Sequence, residues 1–436
     1  MIKVEQLLDA DIEFTPDLQY QVNGFLKSLL SRAGYIIGEN SLHLTKKRRV
    51  VLGSLYSEQG DRFIKLTAKG CGEEELLGYK RLKPYFPVIG AEAVLQEGDF
   101  DLIIQPFVPD LFEGKGSVTD LITEMETETA PEGSMEHLKD LFGSMRNMVE
   151  QTMTYGTQKA NNDIFFYDRL LTEKDDNKRG RIETFYADDS LFNIGGYEIN
   201  KEDLFSKKWN INGIEYDVTI DSMLGAAKQI LNPNHPRPIA ITHGDGHSCN
   251  IYTSILNKAE EEDPVFAFID LETAGLNSFI SEMANFLVHN SLLSNYLIPQ
   301  YYKDYYMGKT KVIEVSQAGI NKARSLPSPT LEITDKEISI KGLPALGTSE
   351  VRKSVAESYV ENYVKPVFDF IRTNYGEQPY KQAFEILNAS LLLRFLGVIN
   401  LRNMSSLDQL KTFGLLLQTV GEKDPSVSLD RFLSNT

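Results

Sequence analysis

The sequence predicts an α+β protein in two parts, a small sheet followed by a larger, mostly helical region. Three observations predict it. Strand-like runs, β-branched and bounded by turn formers, fill residues 49–56, 62–67 and 100–105. Apolar residues recur at helical spacing over residues 135–154 and again through 350–419. Between these regions lie two short apolar runs, residues 239–241 and 265–269, each with the length and β-branched content of a buried strand and each ending in polar residues. The expected division is residues 1–108 for the sheet region, with an N-terminal helix, and residues 109–436 for the remainder.

The elements follow in order. A helix is expected over residues 15–33: Thr15 can cap it, Pro16 suits its first turn, and Val22, Phe25, Leu26, Leu29 and Leu30 share one face ahead of Gly34. The strands at 49–56 and 62–67 are joined by the turn-forming residues 57–61. A helix over 73–84 opens with three glutamates, where the helix dipole favours negative charge. Of the three, Glu75 shares a face with Tyr79 and Leu82 and so points inward. Residues 113–135, rich in Gly, Thr, Glu and Ser, read as a mobile connection. Residues 155–237 read as a long insertion holding a turn at 174–180 and strand-like runs with Tyr186, Tyr197 and Trp209. Residues 259–263 read as a hairpin tip, 280–293 as an apolar helix and 325–348 as a loop with one hairpin. Pro366 should kink or restart the helix that contains it.

Composition narrows the class of function. The chain has 436 residues, 42% hydrophobic and 25% charged, which suits an ordinary globular protein with a substantial core. A formal net charge of −17 argues against general nucleic-acid binding, which rests on Lys and Arg neutralising phosphates. It would suit a cationic substrate, although most such charge sits on solvated helix faces. The two cysteines, Cys71 and Cys249, are not expected to pair. No apolar run reaches the length of a membrane span and the first residues lack a signal-peptide pattern, so a cytoplasmic enzyme is expected.

The chemistry is concentrated after the two central strands. The first leads into His243-Gly244-Asp245-Gly246-His247-Ser248-Cys249-Asn250, and the second ends at Asp270, followed by Leu271 and Glu272. A carboxylate, an amide five residues on, and a second carboxylate after a strand are the components of a phosphoryl-transfer site. The first Asp orients the accepting hydroxyl and can take its proton; the amide and the second Asp hold Mg²⁺ on the nucleotide phosphates.

His243, Asp245 and Asn250 match the protein-kinase pattern H-R-D-x-x-x-x-N with Gly244 in place of Arg. In the form HGD-x-H-x-x-N followed by ID-x-E, the strip resembles the aminoglycoside phosphotransferase and choline kinase-like family. The resemblance covers fewer than about forty residues, and both motifs occur in order. It implies a bilobal protein-kinase-like fold, with a small β-sheet N-lobe, a larger helical C-lobe and a long insertion. It also implies transfer of the γ-phosphoryl group of ATP or GTP to a hydroxyl of a small molecule.

The resemblance implies Asp245 as catalytic base, His243 as a brace of the loop, and His247 where protein kinases often carry a phosphate-contacting Lys. Asn250 and Asp270 would be the Mg²⁺ ligands, with Glu272 supporting them. Lys65 would hold the α- and β-phosphates, paired with Glu75 (Glu74 second). Backbone groups from Gln105 through Phe107 to Val108 would bind the purine. Residues 38–41, Gly38 to Ser41, are the best candidate for a phosphate-covering loop. No A-P-E segment follows Asp270, which favours a small-molecule acceptor over a polypeptide. Glu282 stands where the family often has an Asp opening the next helix. The tyrosines from Tyr296 to Tyr306 offer an aromatic cage or, more simply, packing.

Two alternatives remain open at this point. One is a kinase-like binding protein without catalysis. The other is a metal-dependent hydrolase using His243, Asp245 and His247.

Overall fold

The structure is a computed structural model, and it describes residues 13–38, 41–47, 50–57, 60–107, 116–175, 178–254, 266–293, 329–345 and 349–435. Its contacts divide the chain into two compact units. One comprises residues 1–120 with 249–275, the other residues 121–248 with 276–436. The α+β class expected from sequence holds, but the division differs from a single cut at residue 108, and hydrogen bonding explains why. Strands β12 (Ile251–Thr253) and β13 (Phe266–Phe268) pair with each other and attach to the first unit. Phe268 N–H donates to Pro87 O and Ile89 N–H to Phe268 O, while Thr253 N–H donates to Gly116 O.

The first unit is built on an antiparallel sheet in the order β1-β2-β3-β5-β4. Its strands are β1 (Leu42–Lys47), β2 (Val50–Leu55), β3 (Arg62–Ala68), β4 (Ala93–Glu97) and β5 (Phe100–Pro106). Strands β1 and β4 were not expected from the sequence. Helix α1 (Pro16–Arg32) is capped by Thr15 Oγ and packs Val22, Leu26, Leu29 and Leu30 against Leu44, Val51, Ile64 and Leu102 of the sheet. Alternation along β3 sends Ile64 and Leu66 into this core and leaves Lys65 on the opposite face. That face carries helix α2 (Cys71–Leu82), whose N-terminal amides of Gly70 and Gly72 donate to Asp101 Oδ2 at 2.8 and 2.9 Å.

The stretch expected as a connection contains a helix, α3 (Val118–Glu126). Val118, Leu121 and Ile122 fall on one face and are fully buried; the Thr and Glu residues between them hide that pattern in the composition. Residues 113–115 lie outside the described residues, as does the expected hairpin tip at 259–263.

In the second unit, helix α4 (Ser134–Thr152) precedes a short strand, β6 (Thr154–Gly156), which pairs antiparallel with β11 (Arg237–Thr242), the central strand of the order β14-β11-β6 with β14 (Gly275–Asn277). The insertion between them supplies the hairpin β7–β8 (Leu191–Ile194, Tyr197–Asn200), the hairpin β9–β10 (Lys208–Ile211, Ile214–Tyr216) and helix α5 (Ile220–Ile230). Far along the chain β15 (Thr330–Ile333) and β16 (Glu337–Lys341) form the expected hairpin, and β16 pairs in parallel with β9. Hairpin β9–β10 of the insertion and the late hairpin are therefore one sheet, β10-β9-β16-β15. Trp209 on β9 is fully buried and stacks on Phe413 of helix α10 (Ser406–Val420), centroids 6.0 Å apart. Further helices are α6 (Phe279–Val288), α7 (Glu350–Tyr359), α8 (Lys365–Tyr375, restarting at Pro366 as expected) and α9 (Glu377–Gly397).

Candidate active site

In the first unit, Lys65 is the centre of a group of carboxylates. Its Nζ lies 2.5 Å from Asp270 Oδ1, 3.6 Å from Glu75 Oε2 and 3.9 Å from Glu272 Oε2. Burial alone would lower the lysine pKa, but Asp270, Glu75 and Glu272 outweigh it and hold the ammonium form well above its ordinary range. Glu75 is fully buried on α2 and also accepts from Leu271 N–H at 3.0 Å and Gln105 Nε2 at 3.1 Å. A buried carboxylate requires such partners. Glu75, rather than Glu74, is thus the helix glutamate that meets Lys65.

Asp270 has left-handed backbone angles, φ 60 and ψ 62, which non-glycine residues adopt uncommonly. That turn follows β13 directly and is fixed by the Leu271–Glu75 bond. The sequence-predicted residues Lys65, Glu75, Asp270 and Glu272 therefore converge. Three carboxylates face one ammonium group, so the local charge is negative; Asp270 and Glu272 keep side chains 45% and 44% exposed. Such an excess of hard oxygen donors fits a divalent cation.

Gln105 uses its side chain on Glu75, and its backbone lies in β5 opposite Phe63. Partner strand β4 reaches only Ile104, so β5 extends past it toward Phe107. The Phe107 ring lies 5.9 Å from that of Tyr56. Val108 lies outside the described residues, as do Glu39, Asn40 and the tyrosines Tyr296 to Tyr306. Gly38 N–H donates to Ser41 Oγ at 2.8 Å. Asn250 closes a short 3-10 turn, Ser248–Asn250, and its carbonyl accepts from Ile269 N–H at 3.0 Å.

In the second unit, β11 delivers the His243–His247 loop. Arg237 opens the strand fully buried and is clasped by both carboxylate oxygens of Asp163, at 2.8 and 2.7 Å. Glu282 of α6 then binds the loop from beneath. It accepts from Thr242 Oγ1 at 2.5 Å, Gly244 N–H at 2.9 Å and Gly246 N–H at 3.1 Å. The Glu282 carboxylate thus supports the loop structurally. Burial raises the Glu282 pKa, opposed by His243 and these hydrogen bonds. Gly244 has φ +85, the left-handed region that favours glycine. A side chain at Gly246 would run into the Glu282 carboxylate.

His243 is buried, and its Nδ1 accepts from Asp245 N–H at 3.2 Å, which braces the loop. His247 Nε2 lies 3.7 Å from Asp245 Oδ2, and its ring stacks on His289, centroids 4.2 Å apart and 3° from parallel.

Three polar neighbours of the Asp245 loop were missed in the sequence. Asn285 Nδ2 donates to Asp245 Oδ1, and Arg394 Nη2 donates to Asn285 Oδ1. Arg394 also stands 3.7 Å from Asp245 Oδ1. His289 packs behind His247. The available signal was polarity inside apolar helices: Glu282 and Asn285 in FISEMANFLV, Arg394 in LLLRFLG.

No family model and no curated protein sequence matches the chain. Among solved structures, it is similar to a thermostable mutant of aminoglycoside phosphotransferase APH(4)-Ia in ternary complex with ADP and hygromycin B. That match has 10% identity and TM-score 0.37, covering 83% of this chain and 97% of that one. Ethanolamine kinase from Plasmodium vivax matches with 12% identity and TM-score 0.39, covering 98% of this chain and 89% of that one. Spectinomycin phosphotransferase APH(9)-Ia, in complex with ADP and spectinomycin, matches with 12% identity and TM-score 0.34, covering 89% and 98%. Likeness at this level identifies neither donor nor acceptor for this chain. Among the described residues, no helix is long and apolar enough to cross a membrane.

Proposed function

We propose that the protein is a Mg²⁺-dependent phosphotransferase of the aminoglycoside phosphotransferase and choline kinase-like kind, with a protein-kinase-like fold. It moves the γ-phosphoryl group of a nucleoside triphosphate, ATP or GTP, to a hydroxyl of a small molecule. The observation that carries this reading is the Lys65 cluster: one lysine held by a buried helix glutamate and by the aspartate that follows a strand. An ammonium group fixed between Glu75 and Asp270 is arranged to hold nucleotide phosphates beside a metal.

Asp245 accepts the hydroxyl proton late in transfer, oriented by Asn285, while Glu282 and His243 fix its loop. Asn250 and Asp270 would hold Mg²⁺, which neutralises charge on the phosphates. Gln105 to Val108 would bind the purine through backbone groups, and His247 would approach the transferring group. Eight residues separate Asp270 from the start of α6 at Phe279, which leaves little chain for a polypeptide-docking segment and supports a small acceptor.

The test is calorimetric titration of ATP and GTP, with and without Mg²⁺, into wild type and Asp270→Ala. Mg²⁺-dependent binding that weakens about a hundredfold in the variant is expected. Absence of nucleotide binding under every condition would overturn the reading.

A further inference from the structure

Behind Asp245 the second unit holds more positive charge than its structure uses. Arg394 on α9 and Arg169 in the 3-10 turn Tyr167–Leu170 are 5% and 6% exposed. Each guanidinium stands over one of two consecutive rings, Arg169 over Phe165 at 5.7 Å and Arg394 over Phe166 at 5.5 Å. Both meet on the last turn of α9: a methyl at Gly397, three residues beyond Arg394, would come 3.2 Å from Arg169 Cδ and 3.4 Å from its Nη1. Arg181 Nη1 donates to the Gly397 carbonyl at 3.3 Å, adding a third guanidinium. Asp245 is the acid that acts on Arg169 and Arg394, and Arg169 Nη1 and Arg394 Nε are buried without a hydrogen-bond partner among the described residues.

This is electrostatically incomplete. Burial and the neighbouring guanidinium groups push the Arg169 pKa well down; burial lowers Arg394 to about 10 against the pull of Asp245. Buried charge of one sign requires an opposite partner, and a guanidinium with an unused N–H suits an oxyanion. Asp245, 26% exposed, is the side on which a small molecule would arrive.

We propose that Arg169 and Arg394 form a subsite for an anionic group on the acceptor, so that the hydroxyl presented to Asp245 belongs to a hydroxy acid or a phosphate-bearing alcohol. The inference rests on the phosphotransferase reading and specifies its substrate class. It runs against the net charge of −17, which belongs to the whole chain and not to this cluster of arginines.

Four probes of one skeleton test it: glycerate, glycerol phosphate, glycerol and aminopropanediol, each titrated calorimetrically into the full chain, wild type and Arg169→Gln. At least one anion should bind wild type about tenfold more tightly than glycerol, and Arg169→Gln should abolish that preference. A carboxylate site and a phosphate site are told apart by which anion wins. A merely structural arginine would lower stability in the variant and leave the ratios among the probes intact. That result would overturn the proposal, as would wild type binding neither anion better than glycerol or favouring the amine. Should Arg169→Gln not fold, Arg169→Lys keeps the charge but loses the fork, and an intermediate preference is expected. Mg·ATP titrated in the same samples keeps the two readings separate: lost nucleotide binding condemns the kinase, lost anion preference condemns the subsite.

Discussion

A methyl group at Gly78 would overlap the carbonyl oxygen of Leu271, while the Leu271 amide donates to Glu75 on the same face of α2. The helix thus meets both backbone polar groups of the residue after Asp270, its N–H and its C=O. Glycine at 78 is needed for close approach, since its backbone is ordinary helix. Gly78→Ala should displace the Asp270 turn, lower stability by about 2 kcal/mol and weaken Mg²⁺-dependent nucleotide binding about tenfold. Urea unfolding and calorimetry check it; unchanged affinity would mean that the turn yields without moving Asp270.

Lys65 and Glu75 form a pair in which the partners are unequal. Glu75 is fully buried, and Lys65 is its cation. Lys65→Met strands that carboxylate and should cost about 3 kcal/mol of stability, beyond any loss of function. Lys65→Met combined with Glu75→Gln should recover part of this, because removing both charges is milder than removing one. Additive losses in the double-mutant cycle would show the two to be uncoupled.

Glu282 receives one hydroxyl and two amides from the Asp245 loop. Glu282→Gln keeps the shape but sets an amide NH2, itself a donor, against a donor, so one of these bonds must fail. The expected loss is about 2 kcal/mol of stability. Turnover should fall with nucleotide affinity retained, because Lys65 and Asp270 are untouched. Gly246→Ala should act in the same direction by pushing the carboxylate away. Steady-state kinetics set beside nucleotide titration decide it: equal losses in both would place the damage outside this loop.

What was legible in the sequence was local. Lys65, Glu75 and Asp270 each sit at a recognisable place on a strand or helix, and inward helical spacing separated Glu75 from Glu74. Asn285, Arg394 and Arg169 were not legible, because their relation to Asp245 comes from packing of α6, α9 and a 3-10 turn far apart in the chain. Helix α3 was hidden for another reason: its apolar stripe is three residues wide within a composition typical of loops. The sheet joining β9 to β16 was beyond reach, since each hairpin reads as self-contained and only a parallel register, Trp209 opposite Ile338, unites them.

His289 offers a prediction that needs no substrate. Its ring is buried against His247, and burial, then the charges of His247, Arg394 and Arg352, holds its pKa well below the ordinary 6.5. Folding keeps it neutral, whereas the unfolded chain lets it take a proton below about pH 6.5. The unfolded state therefore binds more protons there, and stability falls as pH drops below that value, by up to about 1.4 kcal/mol per pH unit. His289→Asn should flatten the profile of unfolding free energy between about pH 5 and 6.5 relative to wild type. The comparison isolates His289 from His137, whose pKa burial also lowers. Parallel profiles for the two proteins would mean that the His289 ring is protonated in the folded state, and the stacked pair would then need a counter-charge.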